Sequence, residues 1–178
     1  MKAVEIMDGF LPVHDFNYIK KNTLNSREFP LYYEALHLNS PEFPLYYEAL
    51  HSGQKNDGYY LVHNFYINEK KSHWFDLLSP LLERLEIKQL LRVRLNFYPK
   101  THFLRKNHNW HNDYPYKHKG CILSLNTCNG KTQIKNKPFN FSIKSIENRA
   151  LFFDPFIQHR STTCTNAEFR SNIIINYL

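Results

Sequence analysis

The feature that most constrains the fold is a strict two-residue alternation from Leu91 to Tyr98. One side of this segment reads Leu, Val, Leu, Phe, and the other side reads Arg, Arg, Asn, Tyr. Successive side chains of a strand point to opposite faces, so the segment is predicted to be a strand with one apolar and one polar face. We expect the apolar face to pack on a layer of helices and the polar face to line a wet pocket.

Helical periodicity precedes this strand, and shorter β-like runs follow it. The segment 72–91 has apolar residues at helical spacing, and Ser79-Pro80 is expected to divide it into two helices. The later β-like runs are at 119–127, 131–136, 149–154 and 169–177. Helices followed by many short strands indicate a mainly β sandwich or barrel with N-terminal helices. We divide the chain into an N-terminal support of helices and loops at 1–90 and a β core at 91–178, within a single structural domain.

Residues 25–38 and 39–52 form a tandem duplication. The copies read NSREFPLYYEALHL and NSPEFPLYYEALHS and differ at two positions. Two copies are too few to bury a shared repeat core, so we interpret the duplication as an insertion tolerated on the surface. The alternative is a doubled aromatic lip beside the substrate, formed by Tyr32, Tyr33, Tyr46 and Tyr47.

Charge and cysteine usage limit the class of protein. The formal net charge is +7, and we interpret it as a solvated surface, with nucleic acid as a less favoured partner. Three cysteines without a CxxC pair favour a reduced, cytoplasmic setting. The N-terminus lacks the long apolar stretch of a signal peptide, and no apolar run reaches membrane-spanning length, so no membrane partner is expected. The sequence carries no signal for an oligomeric state.

His111, Asp113 and His159 form a candidate metal site. If His111 and Asp113 lie on a strand, their side chains share one face and can hold one ion. A lone HxD pair is expected by chance roughly a third of the time in a chain of this composition. The evidence for a metal site therefore comes from the order in which HxD, His159 and Arg170 follow one another. Two imidazoles and one carboxylate suit iron(II) and leave three coordination positions open. The alternative for His159 is a surface histidine.

Arg170 follows His159 in the last β-like run and extends this pattern. It shares a strand face with Asn172, Ile174 and Asn176, so its side chain is expected to point into a partly polar interior. A buried guanidinium there requires an anionic partner, and a carboxylate matches its geometry. The alternative is an ordinary charge at a strand edge. Together with the metal site, Arg170 indicates an oxygen-using enzyme.

From Arg92 to Tyr177 the chain resembles the iron(II)- and 2-oxoglutarate-dependent oxygenases. It is most similar to small prolyl-4-hydroxylase-like members encoded by marine bacteriophages. The resemblance implies a double-stranded β-helix (a cupin-like jelly roll), with 91–178 as its catalytic core, in the cytoplasm of a host cell. The segments that carry the resemblance are RVRLNFYPKT (92–101), WHNDYPYKHKGCILSLNTCNG (110–130), ENRALFFDPFIQHRSTTCT (147–165) and FRSNIIINYL (169–178).

The same resemblance implies which residues bind the cofactors. Iron(II) is expected on the three candidate ligands, with 2-oxoglutarate and O2 as co-substrates and ascorbate as a candidate auxiliary reductant. Arg170 is expected to bind the distal carboxylate of 2-oxoglutarate, and Tyr98 to donate a hydrogen bond to the same end. Asn96 and Asn126 are weaker pocket candidates. Family members often carry a Tyr where this chain has Ser124, and its loss is expected to loosen co-substrate binding.

The implied activity is hydroxylation of a peptidyl (for example prolyl) or small-molecule substrate, with release of succinate and CO2. A nucleic-acid-modifying dioxygenase is an alternative, but the DNA-repair members carry an Arg six residues after the co-substrate Arg, where this chain has Asn176. A second alternative is a non-catalytic jelly-roll binding protein with a vestigial metal site. His108 and His118 lie near the metal site in sequence and are expected to be solvent-exposed loop residues.

Overall fold

The structure, a computed structural model, describes residues 4–26, 46–49 and 59–178. Most of the duplicated segment, including Tyr32 and Tyr33, lies outside these residues. Residues 46–49 are described only as a strand, so the expected aromatic lip falls outside the described side chains. The interpretation of the duplication stays a prediction.

Antiparallel strands dominate the described part of the chain. The strands are β1 (Val4–Met7), β2 (Tyr46–Ala49), β3 (Tyr59–Ile67), β4 (Lys70–Lys71), β5 (Leu90–Pro99), β6 (Lys119–Ser124), β7 (Lys131–Ile134), β8 (Phe141–Lys144), β9 (Ala150–Phe153), β10 (His159–Ser161) and β11 (Phe169–Tyr177). The helices are α1 (Val13–Leu24), a 3-10 helix (Phe75–Leu78) and α2 (Ser79–Leu82). The prediction of a mainly β protein with N-terminal helices is confirmed.

The major sheet contains eight strands in the order β1-β9-β6-β11-β5-β3-β2, with β4 paired to β3. Val93 and Leu95 of β5 are fully buried in the core that also contains Phe16 and Leu78 of the helices. The polar residues that alternate with them face the opposite side of the sheet. The predicted two-faced strand, with one side on a helix layer, is therefore correct.

The two helices in the segment 72–91 cover fewer residues than the helical spacing of the sequence predicts. The predicted break occurs at Ser79, where the 3-10 helix ends and α2 begins. However, the Ser79 hydroxyl donates back to the Asp76 carbonyl oxygen (2.9 Å) instead of capping α2. The helical pattern up to Leu91 does not continue as a helix beyond Leu82, because the backbone amides of Lys88 and Gln89 donate to the Leu178 carbonyl oxygen beside the sheet.

The minor sheet has the order β10-β7-β8 and faces the polar side of the major sheet. Two isolated β-bridges, Asn107 to Thr162 and His111 to His159, extend it beyond β10. Ile134 and Ile143 of this sheet pack against Ile122 and Ile174 of the major sheet. Two antiparallel sheets packed in this way form the predicted double-stranded β-helix.

Residues 1–90 contribute more to the fold than the helical and loop support predicted for them. They supply β1 to β4, and β1 forms one edge of the major sheet by pairing with β9. Strand β3 pairs directly with β5. Strands of both parts share the major sheet, and the division into a support at 1–90 and a catalytic core at 91–178 stays a prediction. Within the described segments, no helix is long and apolar enough to cross a membrane.

Candidate metal centre

The backbone bridge between His111 and His159 brings two of the candidate ligands together. Their amides and carbonyls exchange two hydrogen bonds, of 3.0 Å from the His111 amide and 2.9 Å from the His159 amide. Directly opposed residues on antiparallel strands project to the same face, and the two ring centroids are 4.5 Å apart. The tertiary pairing thus unites residues that are far apart in sequence.

Asp113 completes the cluster from a bend rather than from a strand. Its amide donates to the Pro155 carbonyl oxygen (3.2 Å), and the Asn112 side chain donates to the Phe156 carbonyl oxygen. One ligand atom from each of His111, Asp113 and His159 lies within 4.8 Å of the others. The predicted set therefore forms a candidate metal centre, although the expected regular strand through it is absent.

The two histidines are oriented so that the Nε2 atom of each can bind a metal ion. His111 Nδ1 lies 3.1 Å from the Asn109 carbonyl oxygen, and His159 Nδ1 lies 3.0 Å from the Ile157 carbonyl oxygen. A carbonyl accepts only from a protonated Nδ1, so the Nε2 lone pair stays available in the neutral ring. Burial lowers the pKa of His159 to about 4, which keeps its imidazole neutral at pH 7.

Arg92 and Asn176 hold the Asp113 carboxylate from both sides. Arg92 donates from Nη2 to Asp113 Oδ1 (2.6 Å), and Asn176 donates from Nδ2 to Asp113 Oδ2 (2.9 Å). Arg92 Nε also donates to Asn176 Oδ1 (3.2 Å), which links the two supports. Burial opposes ionisation of Asp113, but Arg92, His159 and the Asn176 hydrogen bond hold its pKa well below the usual range. The third ligand is therefore an oriented anion.

Arg170 is a buried cation near this centre, and its hydrogen bonds to the described residues reach neutral oxygens. It donates to the Lys131 and Thr162 carbonyl oxygens (3.0 and 3.1 Å) and to Thr132 Oγ1 (2.8 Å). Its side chain is 1 % exposed and its Nε has no hydrogen-bond partner. Within the part of the chain that the structure describes, no carboxylate pairs with this guanidinium. A buried, unpaired cation favours an anionic ligand.

The strand register relates this cation to the metal ligands. Thr132, which binds Arg170, lies two residues before Ile134 on β7, and Ile134 is opposite His159. Two residues of a strand span about 7 Å. That separation suits a short diacid with one carboxyl end at the guanidinium and the other at the metal ligands. This is the placement that the sequence predicts for 2-oxoglutarate.

Other polar atoms inside the pocket also lack hydrogen-bond partners. These are both side-chain amide atoms of Asn172, Oδ1 of Asn96 and Nε2 of His108. Burial, followed by the charges of Arg170 and His111, lowers the pKa of His108 to about 3. Buried polar groups are rarely left without partners, so this set indicates a site shaped for a polar ligand.

Tyr98 and Asn96 lie on the pocket face of β5, as the alternation predicts. Tyr98 is 2 % exposed, and its hydroxyl accepts a hydrogen bond from Asn96 Nδ2 (2.8 Å) and donates to Ser161 Oγ (3.3 Å). The Arg170 guanidinium lies over the Tyr98 ring, 5.3 Å from its centroid. Tyr98 is thus positioned beside the guanidinium, and Asn96 holds the Tyr98 hydroxyl.

Asn126 has a different position from the one expected of a pocket residue. Its Oδ1 accepts from the Ser171 amide (2.9 Å), and its Nδ2 donates to the Phe169 carbonyl oxygen (2.7 Å). The side chain therefore ties the turn after β6 to the first residues of β11. We propose that Asn126 acts by fixing the strand that carries Arg170.

The expectation that His108 and His118 are solvent-exposed is wrong. Each is 6 % exposed. His118 Nε2 lies 3.2 Å from Asn176 Nδ2, so this histidine supports the residue that holds Asp113. The loop that carries both residues pairs with Thr162 and His159 through Asn107 and His111, and a local sequence pattern does not reveal such a long-range pairing.

Sequence reasoning missed Arg92, Asn176 and Asn172 as members of the site. The alternation signal could have identified them, since Arg92 lies on the predicted polar face of β5. Asn172 and Asn176 share the face of Arg170 on β11. The alternation along one strand does not reveal which strands pair. Only the pairing of β5 with β11 brings their polar faces together.

Two cavities border the centre on its outer side. One of about 480 Å³ is lined by Asn112, Asp113, Tyr114, Pro115 and Phe156. Another, of about 640 Å³, is mainly apolar and includes His118, Phe153, Ile157 and Tyr177 in its wall. The first cavity reaches a metal ligand, Asp113, directly.

Comparison with models of known protein families gave no match, and comparison with curated protein sequences gave none either. Solved structures, in contrast, match over nearly the whole chain. A prolyl hydroxylase from Trichoplax adhaerens, in complex with a hypoxia-inducible factor oxygen-degradation-domain peptide, has a TM-score of 0.64 at 16 % identity. The match covers 99 % of this chain and 84 % of that one.

Two further prolyl hydroxylases have similar folds. A prolyl-4-hydroxylase from Pseudomonas putida has a TM-score of 0.63 at 8 % identity and covers 98 % of this chain and 92 % of its own. A viral collagen prolyl hydroxylase from Paramecium bursaria Chlorella virus-1, in its 2-oxoglutarate complex, has a TM-score of 0.58 at 11 % identity, with coverages of 99 % and 97 %. The chain therefore has the fold of the 2-oxoglutarate and iron(II) oxygenases, as the sequence resemblance predicted.

Proposed function

We propose that this protein is an iron(II)- and 2-oxoglutarate-dependent dioxygenase that hydroxylates a peptidyl or small-molecule substrate. One observation carries the proposal: the cluster of His111, Asp113 and His159 is joined through β7 to Thr132, which binds the buried cation Arg170. Two imidazoles and one carboxylate are the donor set of non-haem iron(II) oxygenases. The fold shared with solved prolyl hydroxylases supports the same class.

The residues of this chain supply positioning and charge, while iron, 2-oxoglutarate and O2 supply the oxidation. His111, Asp113 and His159 hold the metal. Arg170 anchors the distal carboxylate of 2-oxoglutarate, and the Tyr98 hydroxyl turns away from Ser161 Oγ to donate a hydrogen bond at that end. These roles are the ones that the sequence resemblance predicts, and the burial of Arg170 and its position over the Tyr98 ring support them.

The assignment of the metal ligands is tested by comparing His111→Ala with His14→Ala. His14 is an exposed histidine on α1, with a side chain 93 % exposed. We expect His111→Ala to abolish both cobalt(II) binding, measured by visible absorption, and iron-dependent succinate formation. His14→Ala should behave like the wild type. Full turnover by His111→Ala would refute the proposed site.

The co-substrate role of Arg170 is tested by comparing Arg170→Met with Arg84→Met, in which an exposed arginine on the helix side is replaced. Loss of a charge-assisted bidentate contact costs several kcal/mol, so KM for 2-oxoglutarate should rise by about 100-fold or more. The affinity for cobalt(II) alone should change little. An unchanged KM would exclude Arg170 as the anchor.

For the substrate, we propose a peptidyl residue, with proline as the first candidate. The support is the fold shared with prolyl hydroxylases, one of which is in complex with a peptide. A library of proline-containing peptides, incubated with enzyme and co-substrates, should contain members that gain one oxygen atom by mass spectrometry. Hydroxylation of metabolites but of no peptide would favour the small-molecule class instead.

We also propose a cytoplasmic setting, in a host cell if the protein is phage-encoded. The three cysteines, Cys121, Cys128 and Cys164, are buried free thiols, which suits a reducing compartment. The similarity of the quoted segments to phage-encoded oxygenases supports the phage origin. Fractionation of cells that express the tagged protein tests its location.

A further inference from the structure

The positive charge of this chain is concentrated in one region. Residues 99–166 carry eleven Lys and Arg against three Asp and Glu, which gives +8. The whole chain has a formal charge of +7, so all other residues together carry −1. The basic residues are spread along the chain, but the excess of positive over negative charge lies in this region.

The minor sheet and the bridged segment 107–111 beside it lie within this region and carry part of its positive charge. The side chains of Thr132, Ile134 and His159 point towards the metal centre. Successive side chains of a strand alternate between its two faces, so their neighbours point away from the centre. Lys131, Gln133 and Arg160 then point to the outer face, together with their cross-strand partners on β8, Ser142 and Lys144. We call this surface, with Trp110 and Lys135, the outer basic face.

Trp110 forms the aromatic centre of the outer basic face. The Arg160 guanidinium lies 4.4 Å from the centroid of its ring, and Lys135 Nζ lies 5.2 Å from it. Arg160 Nε is held by Gln133 Oε1 (2.7 Å), and Lys135 Nζ donates to Gln158 Oε1. Two cations are thus fixed around one partly exposed indole ring.

The outer basic face also contains an unfavourable charge pair. Lys131 and Lys144 are directly opposite each other on β7 and β8. Like charges in this position repel and lower the stability of the sheet. The segments 99–112, 131–146 and 155–166, which surround the face, contain no Asp or Glu that could relieve the repulsion. An external polyanion would neutralise both lysines at once.

We propose that the outer basic face binds single-stranded nucleic acid. A β-surface that combines separated cations with an aromatic ring matches the way such strands bind, through phosphate contacts and base stacking. An acidic peptide would satisfy the charges but offers no aromatic base to stack on Trp110 and the Arg160 guanidinium. The face lies on the opposite side of the minor sheet from the metal ligands, so the binding does not depend on the proposed enzymatic function.

The test compares two triple variants of the metal-free protein. Lys131→Gln, Lys135→Gln and Lys144→Gln together remove charge from the outer basic face. The control, Lys21→Gln with Lys70→Gln and Lys88→Gln, removes the same charge from exposed positions elsewhere. Affinity for a labelled oligothymidylate of about 16 nucleotides is measured by fluorescence anisotropy at several salt concentrations.

We expect the face variant to bind at least about tenfold more weakly, with a salt dependence (the slope of log K against log salt) reduced by about 2. The control should stay within about twofold of the wild type. An equal loss in both variants would overturn the proposal in favour of diffuse electrostatic attraction. Circular dichroism verifies that both variants are folded.

A second measurement distinguishes nucleic acid from an acidic peptide. The chain has two tryptophans, so Trp74→Phe leaves Trp110 as the fluorescent reporter. The oligothymidylate should quench Trp110 emission, because a base stacks on the indole ring, whereas polyglutamate should not. Unchanged emission at saturating oligothymidylate, or tighter binding of polyglutamate, would contradict the proposal.

Discussion

At the scale of single residues, the centre depends on polar side chains whose partners come from other strands. Asp113 is held between Arg92 and Asn176, while Asn172 opposite Ser124 has no hydrogen-bond partner for its amide. One position is thus fully supported and the other is left incomplete. The support of Asp113 leads to a prediction about the metal ion, and the unpartnered amide of Asn172 leads to one about 2-oxoglutarate.

We expect Asn176→Ala to weaken metal binding by about 10- to 100-fold, the usual effect of removing a residue that orients a ligand. The substitution frees Asp113 Oδ2 without changing the net charge of the site. Calorimetric titration with cobalt(II) measures the effect, and Asn136→Ala, at an exposed position, is the control. Wild-type affinity in Asn176→Ala would mean that Arg92 alone orients the carboxylate.

Ser124→Tyr restores the phenol that related oxygenases often carry. Ser124 lies opposite Asn172 on the pocket face, so the new hydroxyl can reach the co-substrate region. We expect KM for 2-oxoglutarate to fall by about tenfold, the value of one good hydrogen bond. Ser124→Phe, which adds the same ring without the hydroxyl, separates hydrogen bonding from packing. If both variants lower KM equally, the phenol is not responsible.

At the scale of elements, one asparagine fastens the N-terminal segment to the major sheet. Asn148 Oδ1 accepts from the Leu11 amide (3.0 Å), and its Nδ2 donates to the Leu11 carbonyl oxygen (2.8 Å). Its own carbonyl oxygen accepts from the Phe10 amide (3.0 Å). Its φ of 57° lies in the left-handed region, which Asn tolerates better than most residues. This turn therefore joins the start of α1 to the strands that carry the site.

Replacing Asn148 separates its two contributions. Asn148→Ala loses both side-chain hydrogen bonds and retains the left-handed backbone, so we expect a loss of about 3 kcal/mol in the free energy of unfolding. Asn148→Gly loses the same bonds but relieves the strain, so its loss should be about 1 kcal/mol smaller. Urea unfolding monitored by tryptophan fluorescence measures both. Equal losses would mean that backbone strain contributes nothing at this turn.

At the scale of the whole molecule, three buried histidines make the fold sensitive to acid. Burial lowers the pKa of His63, His108 and His159 to about 4, 3 and 4. Below the ordinary value of 6.5, the unfolded chain binds protons that the folded chain does not. Their contribution to stability is therefore complete above pH 6.5 and is lost as the pH falls towards 4. The lowered pKa of Asp113 acts only below this window.

The free energy of unfolding of the metal-free protein should therefore fall between pH 7 and pH 5. Each histidine contributes up to about 1.4 kcal/mol per pH unit. His63→Gln keeps a side chain that can reach Ser72 and should reduce the pH dependence by about a third. His14→Gln, at an exposed site, should leave it unchanged. Urea unfolding at a series of pH values measures both, and an unaltered slope in His63→Gln would contradict this origin.

Local patterns predicted much of the fold and of the site. The alternation in β5 correctly assigned its apolar face to the helices and its polar face to the pocket. The order of His111, Asp113, His159 and Arg170 identified residues that the structure brings together. In contrast, β1 to β4 were missed, because their pairing with β9 and β5 depends on partners that a local pattern does not contain.

The sequence by itself determined the residue types and their periodicity, and these fixed the sheet-rich class and the chemical character of the site. Only the tertiary structure decided which polar residues converge, since hydrogen-bonded pairing connects positions that are distant in the chain. Only the fold brings Arg92 and Asn176 to Asp113 and buries His108. Only the fold shows that the Asn126 side chain binds the backbone of β11. Alternation along each strand is a local property, whereas the register between strands is a property of the whole fold.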